Sequence, residues 1–159
     1  MITQYFQQKG LEITTEVSDN RYQMIDDGAI EVETGELIYG LVRRLKPKQC
    51  LSTGIYTGVS DLYIAEALKR NGIGQLTALE LDFHHINRAY ELWKKIGVNE
   101  YITARHTDSL KFNPPINEQY QFIFLDSEVN IRLHEAVRFY PYLQEGGFML
   151  IHDLPPDIC

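Results

Sequence analysis

From residue 37 onward the sequence alternates helical and extended hydrophobic patterns, and such an alternation requires a parallel sheet with helices packed across it. Leu37, Ile38, Leu41, Val42 and Leu45 recur at helical spacing, and Pro47 ends that helix before a short apolar strand at 49–53. Leu62, Ile64, Ala65 and Leu68 form the next stripe, closed by Asn71-Gly72, and an extended run at 75–81 follows. Ile86, Ala89, Tyr90, Trp93 and Ile96 make another helix that ends at Gly97, before a third strand at 102–105. The nearly continuous apolar run at 121–125 reads as a central strand buried on both faces, and it ends in Asp126. Leu133, Ala136, Val137 and Tyr140 supply one more helix, Glu145-Gly146-Gly147 a turn, and 148–151 a fifth strand ending in His152-Asp153. The predicted fold is α/β: a Rossmann-like, doubly wound, mainly parallel sheet with helices on both faces.

At 159 residues and 44% hydrophobic, the chain has the size and composition of one domain that buries its own core. Residues 1–28 show weak periodicity and read as an amino-terminal appendage or lid, leaving 29–159 as the ligand-binding domain. A net charge of -7 argues against a nucleic-acid partner, because phosphate binding draws on clustered Lys and Arg. The basic run Arg43, Arg44, Lys46 and Lys48 closes a helix, where cations offset the negative end of the dipole. Cys50 and Cys159 fit neither a disulfide framework nor a zinc-ligand spacing, which predicts a reducing compartment. No apolar run is long enough to cross a bilayer, and the opening MITQYFQQKG lacks the apolar stretch of a secretory signal. The expectation is a cytoplasmic protein with no membrane partner.

In an open α/β sheet, ligands bind outside the carboxyl ends of the strands. The first strand runs into Gly54, and Gly58 opens the next helix, where missing side chains let backbone N–H groups approach an anion such as a carboxylate. Ser60 adds a hydroxyl donor, and Tyr56 has a ring that can cover a ligand. Glu80 ends the second strand, where its two oxygens can accept both hydroxyls of a ribose, while Asp82 suits the cap of the following helix. A nicotinamide dinucleotide domain also has a glycine turn and a strand-end acid. Its G-x-G-x-x-G fingerprint, however, needs glycine where this chain has Tyr56. His84 and His85 lack a partner at metal-binding spacing and read as surface residues.

The turn LSTGIYTGVS at 51–60 resembles the L-E-x-G-x-Y-x-G-x-S turn of class I S-adenosylmethionine (SAM) dependent O-methyltransferases of the catechol O-methyltransferase-like group. Over residues 30–153 the resemblance implies SAM as cofactor, a small-molecule methyl acceptor, and O-methyl transfer by in-line displacement. It implies cofactor contacts for Gly54, Tyr56, Gly58, Ser60 and Glu80, for the adenine-side pair Asp108-Ser109, and for Asp126. Asp126 and Asp153 match aspartates that hold a divalent cation such as magnesium, and Asp126, His152 and Asp153 stand at the catalytic end. The chain departs from the pattern at Ser52, where the family carries glutamate, at Leu154 in place of the metal-site asparagine, and at Val129 in place of the lysine base. His152 is the substitute base candidate, since imidazole titrates near neutral pH. Family members continue beyond the fifth strand, so the end at Cys159 predicts a fragment or a sheet edge that favours a homodimer. The departures also keep a non-catalytic, methyltransferase-like binding module as an alternative.

Overall fold

A computed structural model of the chain describes residues 1–15, 23–26 and 28–154. In chain order it comprises α1 (Ile2–Gln8), β1 (Thr14–Thr15), β2 (Gln23–Met24), α2 (Val32–Leu45), β3 (Gln49–Thr53), α3 (Val59–Asn71), β4 (Gln75–Glu80), α4 (Phe83–Ile96), β5 (Ile102–His106), β6 (Tyr120–Leu125), α5 (Arg132–Phe139) and β7 (Leu143–Ile151). β1 and β2 form a small antiparallel ribbon, while the other five strands make one parallel sheet in the order β5-β4-β3-β6-β7. The chain builds outward from β3 to β5, then returns to the other side of β3 with β6. That reversal leaves a crevice at the carboxyl ends of β3 and β6.

The two faces of the sheet are covered unequally. Cys50, Leu76, Ala78, Phe122 and Phe124 face the larger core, which takes in α1 through α4. Leu51, Leu79, Tyr120, Ile123 and Leu125 face a smaller core closed by Phe139 of α5. Every residue of α3 from Val59 to Leu68 is buried, so this helix runs through the interior and meets solvent only in its last turn. The segment expected as an appendage or lid divides in two. Ile2 and Phe6 of α1 belong to the larger core, with Phe6 edge-on to Tyr63 at 5.1 Å, whereas Met24 and Gly28 reach the crevice.

Two elements differ from the sequence pattern. α2 starts at Val32, ahead of its apolar stripe; its first turns are polar, and Gly35 is there because the Tyr63 ring fills the space a side chain would need. The Glu145-Gly146-Gly147 turn is instead a bulge inside β7. The register jumps from Tyr120↔Leu143 to Phe122↔Phe148, and Gly146, at φ +76, absorbs the irregularity without breaking the strand. Residues 155–159, including Cys159, lie outside the described part of the chain.

Candidate functional site

Strand register builds the site. Leu79, Thr53, Leu125 and Ile151 form one row across the sheet. Backbone bonds carry the ladder one residue further: Gly54 N–H to Leu79 O at 3.0 Å, Asp126 N–H to Thr53 O at 3.1 Å, and His152 N–H to Leu125 O at 3.0 Å. Gly54, Glu80, Asp126 and His152 therefore stand side by side in the next row, at the mouth of a crevice of about 710 Å³. Tyr56, Ser60, Asp108, Ser109 and Asp153 also line it, and Gly58 alone among the expected site residues does not. That volume fits a nucleoside-sized ligand.

The glycines are dictated by packing as much as by ligand access. A Cβ on Gly54 would collide with the backbone of Asp126, and Gly54 has φ +77. A Cβ on Gly58 would lie 2.5 Å from the Ala89 Cβ, and the Gly58 carbonyl accepts the Trp93 indole N–H at 2.8 Å. Between them Tyr56 adopts φ +47, a strained conformation for a side-chain-bearing residue. Its ring stands edge-on to His85 at 5.1 Å, and a Cβ on Gly28 would meet that ring at 3.2 Å. His85, read from sequence as a surface residue, thus belongs to the crevice wall, with Nδ1 3.6 Å from Glu80 Oε1. Asp82 is the cap expected for α4, accepting the His84 N–H at 2.7 Å.

Glu80 is fixed by backbone donors: Tyr56 N–H to Oε2 at 3.0 Å, and Leu81 and Asp82 N–H to Oε1 at 2.8 and 2.9 Å. Three of its four lone-pair positions are thereby taken, which leaves one on Oε2 rather than the two free oxygens anticipated for a ribose diol. Asp108 closes its own turn, accepting the Leu110 N–H at 2.9 Å and pairing with Lys111 at 3.1 Å; this pairing and the backbone bond lower its pKa.

The β6 and β7 end is held by side chains. Arg132, at the start of α5 and nearly buried, donates Nε to Ser127 O at 2.7 Å and Nη1 to the carbonyls of His152 and Asp153 at 2.5 and 3.2 Å, and pairs Nη2 with Asp126 Oδ1 at 3.0 Å. The same Asp126 oxygen lies 3.0 Å from His152 Nδ1, while His152 Nε2 lies 3.1 Å from Glu31 Oε2. The Asp126 hydrogen bond raises the His152 pKa to about 9; partial burial opposes this, and the Asp126 charge, the Glu31 bond and Asp153 reinforce it. Burial pushes the Glu31 pKa upward, but bonds from Thr34, its own backbone and His152 outweigh it and leave the net shift downward. With both ring nitrogens turned to carboxylates, His152 is an imidazolium at neutral pH. It is a donor, not the free base anticipated in place of the lysine missing at Val129.

The same contacts bear on a divalent ion. Two cationic groups already occupy the Asp126 oxygen, and a guanidinium beside it would repel a metal. Among the described residues, the group whose ligand atoms lie within 4.8 Å of one another is Glu31, His152 and Asp153, without Asp126. The Asp126 and Asp153 pair does not fit an ion in this arrangement.

Sequence reasoning missed Arg132, Glu31, Asp61 and Glu135. Asp61 of α3 is wholly buried and accepts the Ser52 hydroxyl at 2.6 Å, so the position lacking glutamate is bonded to an acid from the helix. Glu135 of α5 accepts Thr53 and Ser127 hydroxyls at 2.9 and 2.7 Å.

The fold and crevice define a class: a Rossmann-like α/β domain with a nucleoside-sized site at its switch point, a glycine turn and an acid ending the second strand of the sheet. Within that class the chain belongs to the methyltransferase domain family, whose sequence model matches residues 51–154. A caffeoyl-CoA O-methyltransferase from Populus kitakamiensis is 26% identical over 147 residues, 84% of this chain and 58% of its own length. Tapetum-specific methyltransferase 1 of Arabidopsis thaliana is 24% identical over 138 residues, again 84% of this chain and 58% of its own length. The chain thus spans little more than half the length of these curated relatives. Among solved structures, the O-methyltransferase TomG from Streptomyces achromogenes, involved in tomaymycin synthesis and crystallised in complex with SAM, shares the fold with a TM-score of 0.69 at 20% identity. The match covers 79% of this chain and 57% of that one. Neither the family nor these relatives supports a nicotinamide dinucleotide domain or a non-catalytic module. No described helix is long and apolar enough to cross a membrane.

Proposed function

We propose that the crevice binds SAM and that the protein transfers its methyl group to an oxygen of a small-molecule acceptor. The observation that carries this reading is the charge of the wall: seven carboxylates, Glu31, Glu80, Asp82, Asp108, Asp126, Glu128 and Asp153, line it against one arginine and two histidines. Such a wall attracts a sulfonium cation and repels the pyrophosphate dianion of a nicotinamide dinucleotide. The O-methyltransferase name of the Populus kitakamiensis relative supports an oxygen acceptor.

In this reading residues 29–154 form the cofactor domain. Glu80 accepts a ribose hydroxyl at its remaining position, the turn from Gly54 to Ser60 with Tyr56 and Gly58 holds the methionine end, and Asp108-Ser109 flank the adenine. SAM supplies an electrophilic methyl group. Asp126, His152 and Asp153 form the acceptor end, where His152 and Arg132 hold the Asp126 carboxyl in place. The chain's contribution is alignment of acceptor and methyl carbon, a source of large rate effects without a dedicated base.

Calorimetric titration with SAM and, separately, NADH tests the reading. SAM is expected to bind and NADH not, with Glu80→Ala weakening SAM by roughly 10- to 100-fold, as loss of a hydrogen bond to a charged group does. Absence of heat at millimolar SAM, or tighter NADH binding, overturns it.

A further inference from the structure

A carboxyl group behind the glycine turn is buried with one of its oxygens unmatched by its surroundings. Asp61 sits in the first turn of α3, three residues after Gly58. It is fully buried, its Oδ1 takes the Ser52 hydroxyl, and among the described residues its Oδ2 has no hydrogen-bond partner. Glu135, across β3, gives the contrast. It also leaves one oxygen bare, but two hydroxyls converge on the other. For Asp61, burial first, and then the negative charges of Glu80 and Asp126, push its pKa upward against the Ser52 bond, and among the described residues it forms no ion pair. The helix amino terminus favours an acid at this position, yet it supplies only a partial charge. Burying an acid so poorly matched destabilises the fold, and a neutral side chain of the same shape would avoid that cost.

Asp61 is bonded to Ser52, two residues before Gly54, and lies three residues after Gly58, so it sits behind the turn that lines the crevice, and a cation held in the crevice would offset its charge. If the crevice binds SAM as proposed above, that cation is the sulfonium. The product, S-adenosylhomocysteine, has the same shape without that charge. We propose that Asp61 is a specificity-determining residue: acting from behind the turn, its carboxylate favours the positively charged sulfonium nucleoside over the neutral thioether left after transfer. The field of a buried charge reaches further than it would through water, so direct contact with the ligand is not required. Asp61 thereby helps the spent cofactor leave and fresh cofactor enter.

The test is titration of the intact chain with SAM and with S-adenosylhomocysteine at pH 8, comparing wild type with Asp61→Asn and Asp61→Leu, alongside thermal unfolding. Both variants are expected to lose about tenfold in SAM affinity, to keep S-adenosylhomocysteine affinity within about twofold, and to unfold at the same or a higher temperature. A purely structural role predicts lower stability and equal weakening of both ligands, and that result overturns the proposal. If wild type binds neither compound, the cofactor assignment itself fails, which the SAM titration shows before any variant is compared.

Discussion

Glu80 and Asp126 stand in the same row beyond the sheet, yet they are held by opposite means. Backbone N–H groups of Tyr56, Leu81 and Asp82 fix Glu80, whereas the side chains of Arg132 and His152 fix Asp126. Amide-held geometry depends on where the backbone can go, so the first end of the crevice needs glycine and tolerates little change in chain path. Cation-held geometry depends on charges brought from distant elements, so the second end needs particular partners and little from the local sequence. The first end is a preformed socket, and the second is a network that can be taken apart one charge at a time.

The largest effect is expected where the backbone end is broken. Gly54→Ala puts a Cβ against the Asp126 backbone at a left-handed position, and the two penalties sum to roughly 2–5 kcal/mol. Urea denaturation measures it, and SAM binding should be lost with it. A loss below about 1 kcal/mol would show that the socket is not set by its backbone. Next is Arg132→Ala, which strips three carbonyls and Asp126 of a nearly buried donor and should cost about 2–3 kcal/mol in the same assay. Arg132→Lys should recover little of that loss, because an ammonium cannot reproduce the planar fork. Full recovery would reduce the second end to a matter of charge alone.

The contrast also explains what could be read in the sequence. The strands, the glycine turn and Glu80 were legible because each rests on a local pattern: period, breaker residues or the residue ending a strand. The Glu145-Gly146-Gly147 bulge was misread because those glycines carry the same local signal whether the chain reverses or only shifts register. The second end was not legible. Glu31 meets His152 across 121 residues, and Arg132 meets the backbone of residues 127, 152 and 153, pairings that no spacing announces. His85 looked like surface because its significance comes from the Tyr56 ring against it. Asp61 did leave a signal. Asp61 sits one position before Leu62 and three before Ile64, in the first turn of a helix whose residues from Val59 to Leu68 are all buried, so the acid has no solvent to reach.

The smallest effect sharpens the comparison at the floor between the two ends. Burial raises the Asp61 pKa from 3.8 to about 7; the Ser52 bond opposes the shift, and the Glu80 and Asp126 charges add to it. The folded state therefore holds this proton more tightly than the unfolded state. The resulting stability is fully present below pH 3.8 and is lost as pH rises through about 7. Asp61→Asn has no such proton to lose. Its melting temperature relative to wild type should therefore climb between pH 5 and pH 8, by about 2–4 °C for each kcal/mol of difference. Thermal scans across that range in matched buffers measure the gap. A constant gap would mean that Asp61 neither gains nor loses a proton in the fold between pH 5 and pH 8, and so that burial does not set its charge in that range.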